Sequence, residues 1–284
     1  MKGISFNTWV YSSFPVWVPS YPLEEVIKRL SRMGYDGIEV GCASPHAWPD
    51  YLSKERRQEI KGLLKAHRLD VSSMLPAPGG GPGVNPSSPT KEEREFTIKH
   101  YKDVIRLAHE WECPTVIWIA GWVVFGTSQQ EAWNYSLQGL IECAEFAKEL
   151  GITIVVEPTP TDGNLIETAD DALLLAEQSG LDNVKVMFDT FHALYRNEVS
   201  SDYVYRMKDK LHHIHISDVD RLPPGQGTCN FDAVMRALKE IDYKGYLSME
   251  VGFNTRKADP DWYASTSIEY LRKKMDEIGW IQTK

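Results

Sequence analysis

Ile152-Thr153-Ile154-Val155-Val156-Glu157, then a periodic segment from Ala169 to Gln178, then Val184-Lys185-Val186-Met187-Phe188-Asp189 make up the heart of residues 152–189. Two β-rich apolar runs separated by an amphipathic stretch have the pattern of parallel strands joined by a crossover helix. Working outward in both directions, the same alternation repeats. Strand candidates fall at Ile4 to Trp9, Gly37 to Gly41, Asp70 to Leu75, Thr115 to Ala120, Thr153 to Glu157, Val184 to Phe188, His212 to Ser217 and Tyr246 to Val251. Helical segments between them include Leu23 to Met33, Lys54 to His67, Lys91 to Trp111, Gln129 to Leu150, Ala169 to Gln178, Phe231 to Ile241 and Asp261 to Ile278. Gly34, Gly151, Gly180 and Gly279 each follow the last periodic residue of a helix, where a left-handed cap suits glycine. Eight strand-helix units in 284 residues match a (β/α)8 barrel, whereas a doubly wound sheet more often has fewer strands or a second domain. The expectation is an α/β chain forming one TIM-barrel domain over residues 1–284.

Bulk properties narrow the function. A hydrophobic content of 42% with 25% charged residues describes a globular chain able to bury a large core. A net charge of −9 argues against nucleic-acid binding, which needs a basic stripe to displace counterions, and fits a small neutral substrate better. Cys42, Cys113, Cys143 and Cys229 lie far apart with no C-x-x-C pair, the pattern of reduced thiols in a cytoplasmic protein. Met1 to Pro19 lacks the basic start, unbroken apolar run and small-residue cleavage site of a signal peptide. No run of eighteen uncharged apolar residues offers a membrane span. The Pro/Gly/Ser-rich stretch from Pro76 to Pro89 follows the third strand and reads as a long loop on the active-site face, a lid or a disordered spacer.

In such barrels the working groups sit at the C-terminal ends of the strands. Glu157, Asp189, His215 and Glu250 occupy that position on strands five to eight. A carboxylate finishing an apolar strand must be solvated, paired or metal-bound, and several clustered together repel one another unless a cation joins them. Any one of the four reads equally well as a cap or salt-bridge partner; four at equivalent positions point to a site. Three oxygen donors and one imidazole suit a single divalent ion, Mn²⁺ first, with Mg²⁺, Co²⁺ or Zn²⁺ as alternatives. His213 shares a face with His215 but lies one layer deeper, as a hydrogen-bonded core histidine would. His46 either reaches the pocket from its loop or is exposed and idle. Trp9, Trp17, Trp48, Trp118 and Trp122 fall at or after strand ends, and either form an apolar wall of the pocket or pack elsewhere. Gly79-Gly80-Gly81-Pro82-Gly83 lacks the helix that a phosphate cradle requires directly after it.

Asn183-Val184-Lys185-Val186-Met187-Phe188-Asp189-Thr190-Phe191-His192, flanked by Glu157-Pro158, His213-Ile214-His215, Arg221, Pro224-Gly225-Gln226-Gly227 and Met249-Glu250, resembles the xylose isomerase-like barrel superfamily, and within it the ketose 3-epimerases. The resemblance spans essentially the whole chain. It implies the same metal set, adds His192 and Arg221 as substrate-binding residues, and implies a homo-oligomer. Two features bear on substrate. Those epimerases usually carry another Glu six residues after the first metal Glu; here Gly163 holds that spacing, and Asp162 is the nearest acid for the same role. Pro45-His46-Ala47-Trp48-Pro49 is similar to fructoselysine 3-epimerase-type members, which implies a substituted sugar as one option.

The implied chemistry is proton transfer next to a carbonyl through an enediolate, with Glu157 and Glu250 on opposite faces of the sugar as the catalytic pair. The main alternative is a lyase acting on 3-keto sugars, resembling C-glycoside deglycosidases with their small partner subunit, or inosose dehydratases. The apurinic endonuclease branch needs an Asp-Arg-His triplet after strand seven, but Asp220-Arg221 is followed here by Leu222. A non-catalytic sugar-binding barrel would lack the strand-end acids, and both glutamates are present.

Overall fold

The computed structural model describes residues 1–12, 19–77, 83–252 and 255–280. Eight strands, β1 (Gly3–Asn7), β2 (Gly37–Cys42), β3 (Asp70–Pro76), β4 (Thr115–Ile119), β5 (Thr153–Glu157), β6 (Val184–Asp189), β7 (Leu211–Ile216) and β8 (Tyr246–Met249), pair in chain order and all parallel. β8 returns to β1, with Ile4 opposite Leu247 and Phe6 opposite Met249, so the sheet closes into the expected barrel. Around it run α1 (Leu23–Met33), α2 (Lys54–Ala66), α3 (Lys91–Glu110), α4 (Gln129–Glu149), α5 (Ala169–Ser179), α6 (Thr190–Tyr195), α7 (Ser200–Met207), α8 (Phe231–Glu240) and α9 (Pro260–Glu277).

Strand alternation divides each strand between two environments. Ile154 and Val156 of β5, Val186 and Phe188 of β6, Ile214 and Ile216 of β7, and Leu247 and Met249 of β8 belong to the large apolar core between sheet and helices. Their neighbours of opposite parity point into the barrel, and there the lumen splits in two. Trp9, Leu75, Ala77, Ile117, Ile119, Val155 and Met187 form a separate apolar cluster. Ser5, Asn7, Glu39, Ser73, His213, His215 and Ser248 are all buried polar residues at lumen positions of the strands on the other side.

Several boundaries differ from the sequence expectation for local reasons. Trp9 lies beyond β1 in a 3-10 turn over Thr8–Tyr11, because the Asn7 side chain accepts the Trp9 N–H at 2.8 Å and turns the chain. Between β6 and β7 two short helices fill a crossover for which the sequence offered no clear helical period; six and eight residues are too few to display one. Trp118 does not face the lumen: its parity sends it outward, fully buried, with its ring 4.5 Å from that of Tyr101 and its edge against Gly139 of α4. Trp48 stacks on His100 at 4.4 Å, and Trp17 lies outside the described residues.

Three loops at the C-terminal face are laced together. Asn85 accepts the Trp122 N–H at 3.2 Å and donates to the Trp122 carbonyl at 2.9 Å, while Ser87 Oγ donates to the same carbonyl at 3.0 Å. Asn164, after β5, accepts the Val123 N–H at 2.7 Å. The later part of the Pro76 to Pro89 loop is therefore anchored, with Val84, Asn85, Ser87 and Ser88 all buried, and not a loose spacer there. Residues 78–82, including most of the glycine run, lie outside the described residues. Among the described residues no helix is long and apolar enough to cross a membrane.

Candidate metal centre

Glu157 ends β5, Asp189 ends β6, His215 is one residue from the end of β7, and Glu250 directly follows β8. Lumen parity and barrel closure bring all four together, each buried, with one ligand atom from each lying within 4.8 Å of the others. His215 Nδ1 is 3.1 Å from Glu157 Oε1, 3.0 Å from Glu250 Oε2 and 4.0 Å from Asp189 Oδ2. Two donors each about 2.1 Å from one small divalent ion at right angles stand about 3 Å apart, so these spacings fit a shared cation. The donor set itself, three hard carboxylates and an imidazole with no thiolate, fits Mn²⁺, Mg²⁺ or Co²⁺ better than a soft-ligand site.

Arg221 is the fifth member. Its Nη1 donates to Asp189 Oδ2 and, at 2.8 Å, to Glu250 Oε2, and the guanidinium lies 4.2 Å over the Phe191 ring. The loop carrying it is shaped by Asp218, which is fully buried and accepts the backbone N–H groups of Val219, Gly225, Gly227 and Cys229 at 2.9–3.1 Å. Asp220 and Arg221 both adopt positive φ, 56° and 59°, in the turn this anchor holds.

Burial and charge set the proton affinities. Burial pushes Glu157 up, and the charges of Glu250 and Asp189 add to it against the pull of His215, bringing it to about 7. Burial also works to raise Glu250, but His215 and Arg221 override it and hold that carboxyl down at about 2. His215 is buried, yet Glu250, Glu39 and Glu157 around it hold its pKa well above the usual imidazole value. Two carboxylates that face the same imidazole nitrogen thus differ in proton affinity in the cation-free protein.

His192, from the first turn of α6, is 3% exposed, and burial drives its pKa down to about 3, so it is neutral. Thr161 Oγ donates to Asp162 Oδ2 at 3.0 Å and lies 3.0 Å from His192 Nδ1. With its proton spent on Asp162, that hydroxyl accepts from Nδ1–H, which leaves His192 Nε2 as an acceptor, 3.7 Å from Asp162 Oδ2. Asp162 is raised by partial burial, and its side chain remains 61% exposed. Of the expected substrate-binding residues, His192, Asp162 and Arg221 gather at this mouth. His46 does not: it is buried in the loop after β2 with Nε2 2.8 Å from the Tyr21 carbonyl, and it makes no hydrogen bond to the cluster. It is 1% exposed, so it is not the exposed, idle histidine of the other reading, and its Nδ1 is buried without a hydrogen-bond partner among the described residues.

The sequence reading missed Glu39. It lies mid-strand in Ile38-Glu39-Val40, fully buried, and hydrogen-bonds His213 Nε2 at 2.7 Å and His215 Nε2 at 2.8 Å. A lone Glu between two β-branched residues in a strand was the available signal; its position away from the strand end hid it.

The sequence model of the xylose isomerase-like TIM barrel family matches residues 27–274. Among curated relatives, fructoselysine 3-epimerase of Shigella flexneri is 26% identical over 262 residues, covering 90% of this chain and 94% of that protein. Inosose dehydratase of Geobacillus kaustophilus is 22% identical over 311 residues, covering 97% and 95%. Among solved structures, D-psicose 3-epimerase with D-tagatose from Clostridium cellulolyticum H10 superposes with a TM-score of 0.83 at 21% identity, covering 97% of this chain and 99% of that one, a likeness of fold. With the closed eight-stranded barrel and a family match over most of its length, this chain belongs to the xylose isomerase-like TIM barrel family.

Proposed function

We propose that this protein is a divalent-metal-dependent sugar epimerase, a ketose 3-epimerase, with Glu157 and Glu250 as its acid–base pair. The observation that carries the reading is the convergence of Glu157, Asp189, His215 and Glu250 at the C-terminal ends of four successive strands, one ligand atom from each within 4.8 Å of the others. The names of relatives such as fructoselysine 3-epimerase support the same class.

Epimerisation at C3 needs one group to take the C3 proton from one face and another to return a proton to the opposite face, with no net oxidation. The electron pair of the broken C–H bond forms the C2–C3 double bond of an enediolate, and the negative charge rests on the carbonyl oxygen. Glu157, Asp189, His215 and Glu250 would hold the cation, Mn²⁺ first among the candidates, and when bound it supplies Lewis-acid stabilisation of that oxygen. One of Glu157 and Glu250 removes the proton as the other delivers one. Arg221 adds a fixed positive charge beside both Asp189 and Glu250. Neutral His192 accepts a hydroxyl hydrogen bond through Nε2, and Asp162 takes the place of the glutamate usual six residues after Glu157. The apolar half of the lumen, Trp9 with Leu75, Ile117 and Ile119, faces carbon rather than hydroxyl groups.

The test is incubation of Mn²⁺-loaded protein with free ketoses, fructoselysine and 3-keto-glycosides in D₂O, followed by NMR. Deuterium at C3 with formation of the epimer is the expected result, abolished in Glu157→Gln and Glu250→Gln. Full activity in either variant overturns the assignment. Dehydration or aglycone release without an epimer moves the protein to the lyase reading, which the inosose dehydratase likeness keeps as its competitor.

A further inference from the structure

Glu39 carries a buried carboxylate on which four strands converge. Oε1 accepts from Asn7 Nδ2 of β1 and from His215 Nε2 of β7 at 2.8 Å; Oε2 accepts from Ser73 Oγ of β3, from His213 Nε2 at 2.7 Å and from Ser248 Oγ of β8 at 3.2 Å. Glu39, His213 and His215 are close enough to be considered a cation site of their own. Their separations of 2.7–2.8 Å are those of charge-assisted hydrogen bonds, and shorter than the roughly 3 Å between two ligands of one ion. Donors already fill both carboxylate oxygens, so Glu39 acts on the neighbouring histidines.

We propose that Glu39 is a positioning residue for the candidate metal centre: it fixes the ring orientation and the tautomer of His215, so that Nδ1 is the nitrogen offered to the cation. A carboxylate only accepts hydrogen bonds, so the His215 nitrogen facing it, Nε2, must carry a proton. In the neutral ring the bare nitrogen is then Nδ1, which faces Glu157 and Glu250 at 3.1 and 3.0 Å. A metal-binding imidazole must be free of its proton at the ligating nitrogen, and a carboxylate behind the ring both selects that form and makes it more basic. Asn7, Ser73 and His213 hold Glu39 in place, the Ser248 contact at 3.2 Å being the longest of its five hydrogen bonds, and register supports the arrangement: Asn7 pairs with Glu39, Glu39 with Ser73, and His215 with Ser248.

This inference rests on the metal-centre reading above, and its test uses the metal alone. Mn²⁺ is titrated into the metal-free protein and its Glu39→Gln and Ser248→Ala variants, with binding read by calorimetry and by the electron paramagnetic resonance signal of free Mn²⁺. Glu39→Gln replaces the obligate acceptor with a neutral amide and is expected to weaken Mn²⁺ about 10- to 100-fold. Ser248→Ala, which removes a Glu39 partner but leaves the Glu39–His215 bond, is expected to stay close to wild type. Equal losses in both variants, or none in Glu39→Gln, overturn the proposal. Should Glu39→Gln fail to fold, the wild-type chain answers directly: ¹⁵N-histidine NMR of the Mg²⁺-loaded protein is expected to show His215 protonated at Nε2, and a bare Nε2 overturns it. Failure of the wild type to bind Mn²⁺ would remove the metal centre itself, whereas equal binding by wild type and Glu39→Gln removes only the role of Glu39.

Discussion

Gly163 lies so close to the Gly121 carbonyl that a Cβ built on it would stand 2.8 Å from that oxygen. The loops after β4 and β5 touch backbone to backbone here, and neither partner is a flexible side-chain tip. No side chain fits at position 163 without moving the loop, so an acid cannot be placed there on the present backbone. Gly163→Glu is therefore expected not to improve catalysis but to cost about 1–3 kcal/mol of stability through overpacking, and Gly163→Ala to lower Tm in the same direction. Asp162→Asn should leave Tm near wild type and lower kcat. Thermal melts and turnover on the best ketose check all three, and a Gly163→Glu protein with wild-type Tm and activity would contradict the steric argument.

Asp218 offers a second test, because its two oxygens accept four backbone N–H groups and so shape the turn that presents Arg221. In Asp218→Asn the carbonyl oxygen can still serve one side, but the amide NH₂ then points at N–H groups and leaves donors facing donors. Losing charge-assisted bonds at a buried site costs on the order of 2–4 kcal/mol. The expected outcome is a lower denaturant midpoint together with a fall in kcat as Arg221 loses its place beside Asp189 and Glu250. An Asp218→Asn enzyme with unchanged turnover would show that Arg221 holds its position without the anchor.

How far the sequence carried depended on how far each feature repeats. Barrel topology was legible because each strand repeats the same apolar run, and the four candidate ligands were legible because each lies at a strand's C-terminal end. Glu39 was not, since a mid-strand acid has no positional signature until β7 is seen closing over it. For Trp118 the sequence left pocket wall and ordinary packing open, and the parity of β4 decides for packing: Ile117 and Ile119 face the lumen and Trp118 lies against α3 and α4. His46 depended on tertiary packing alone, as nothing in Pro45-His46-Ala47 foretells the Tyr21 carbonyl.

Two buried histidines and one half-buried histidine predict acid sensitivity. Burial lowers His46 to about 4, His192 to about 3 and His212 to about 4. Each is neutral in the fold but takes a proton in the unfolded chain below the ordinary value of 6.5. The unfolded state thus binds more protons as pH falls from 6.5 towards 4, and the stabilising contribution present above 6.5 is lost over that window. Between pH 7 and pH 5 a single such histidine costs about 2 kcal/mol. Urea midpoints measured at the two pH values should show the loss, and His46→Gln, which can still donate to Tyr21, should recover part of it. Equal pH dependence in wild type and His46→Gln would place the acid sensitivity elsewhere.

Metal affinity should carry a pH dependence of its own. In the cation-free protein burial and the neighbouring carboxylates hold Glu157 at about 7, so at pH 6 it is mostly protonated, and His215 is protonated as well. A cation requires both ligands deprotonated, so binding must expel these protons, and affinity is expected to rise as pH increases from 6 to 8. Calorimetry in buffers of different ionisation enthalpy reads the proton release directly at each pH. The same linkage gives the consequence of chelation: EDTA treatment should abolish activity and lower Tm. Restoring Mn²⁺ to a hundred times its Kd should return about 2.7 kcal/mol of stability. Because Arg221 neutralises Asp189 and Glu250 in the cation-free state, the barrel should remain folded after chelation, with a cooperative melt at lower temperature. Mn²⁺ binding with no proton release between pH 6 and 8 would mean that Glu157 is already ionised and that the carboxyl pair lacks the asymmetry assigned to it.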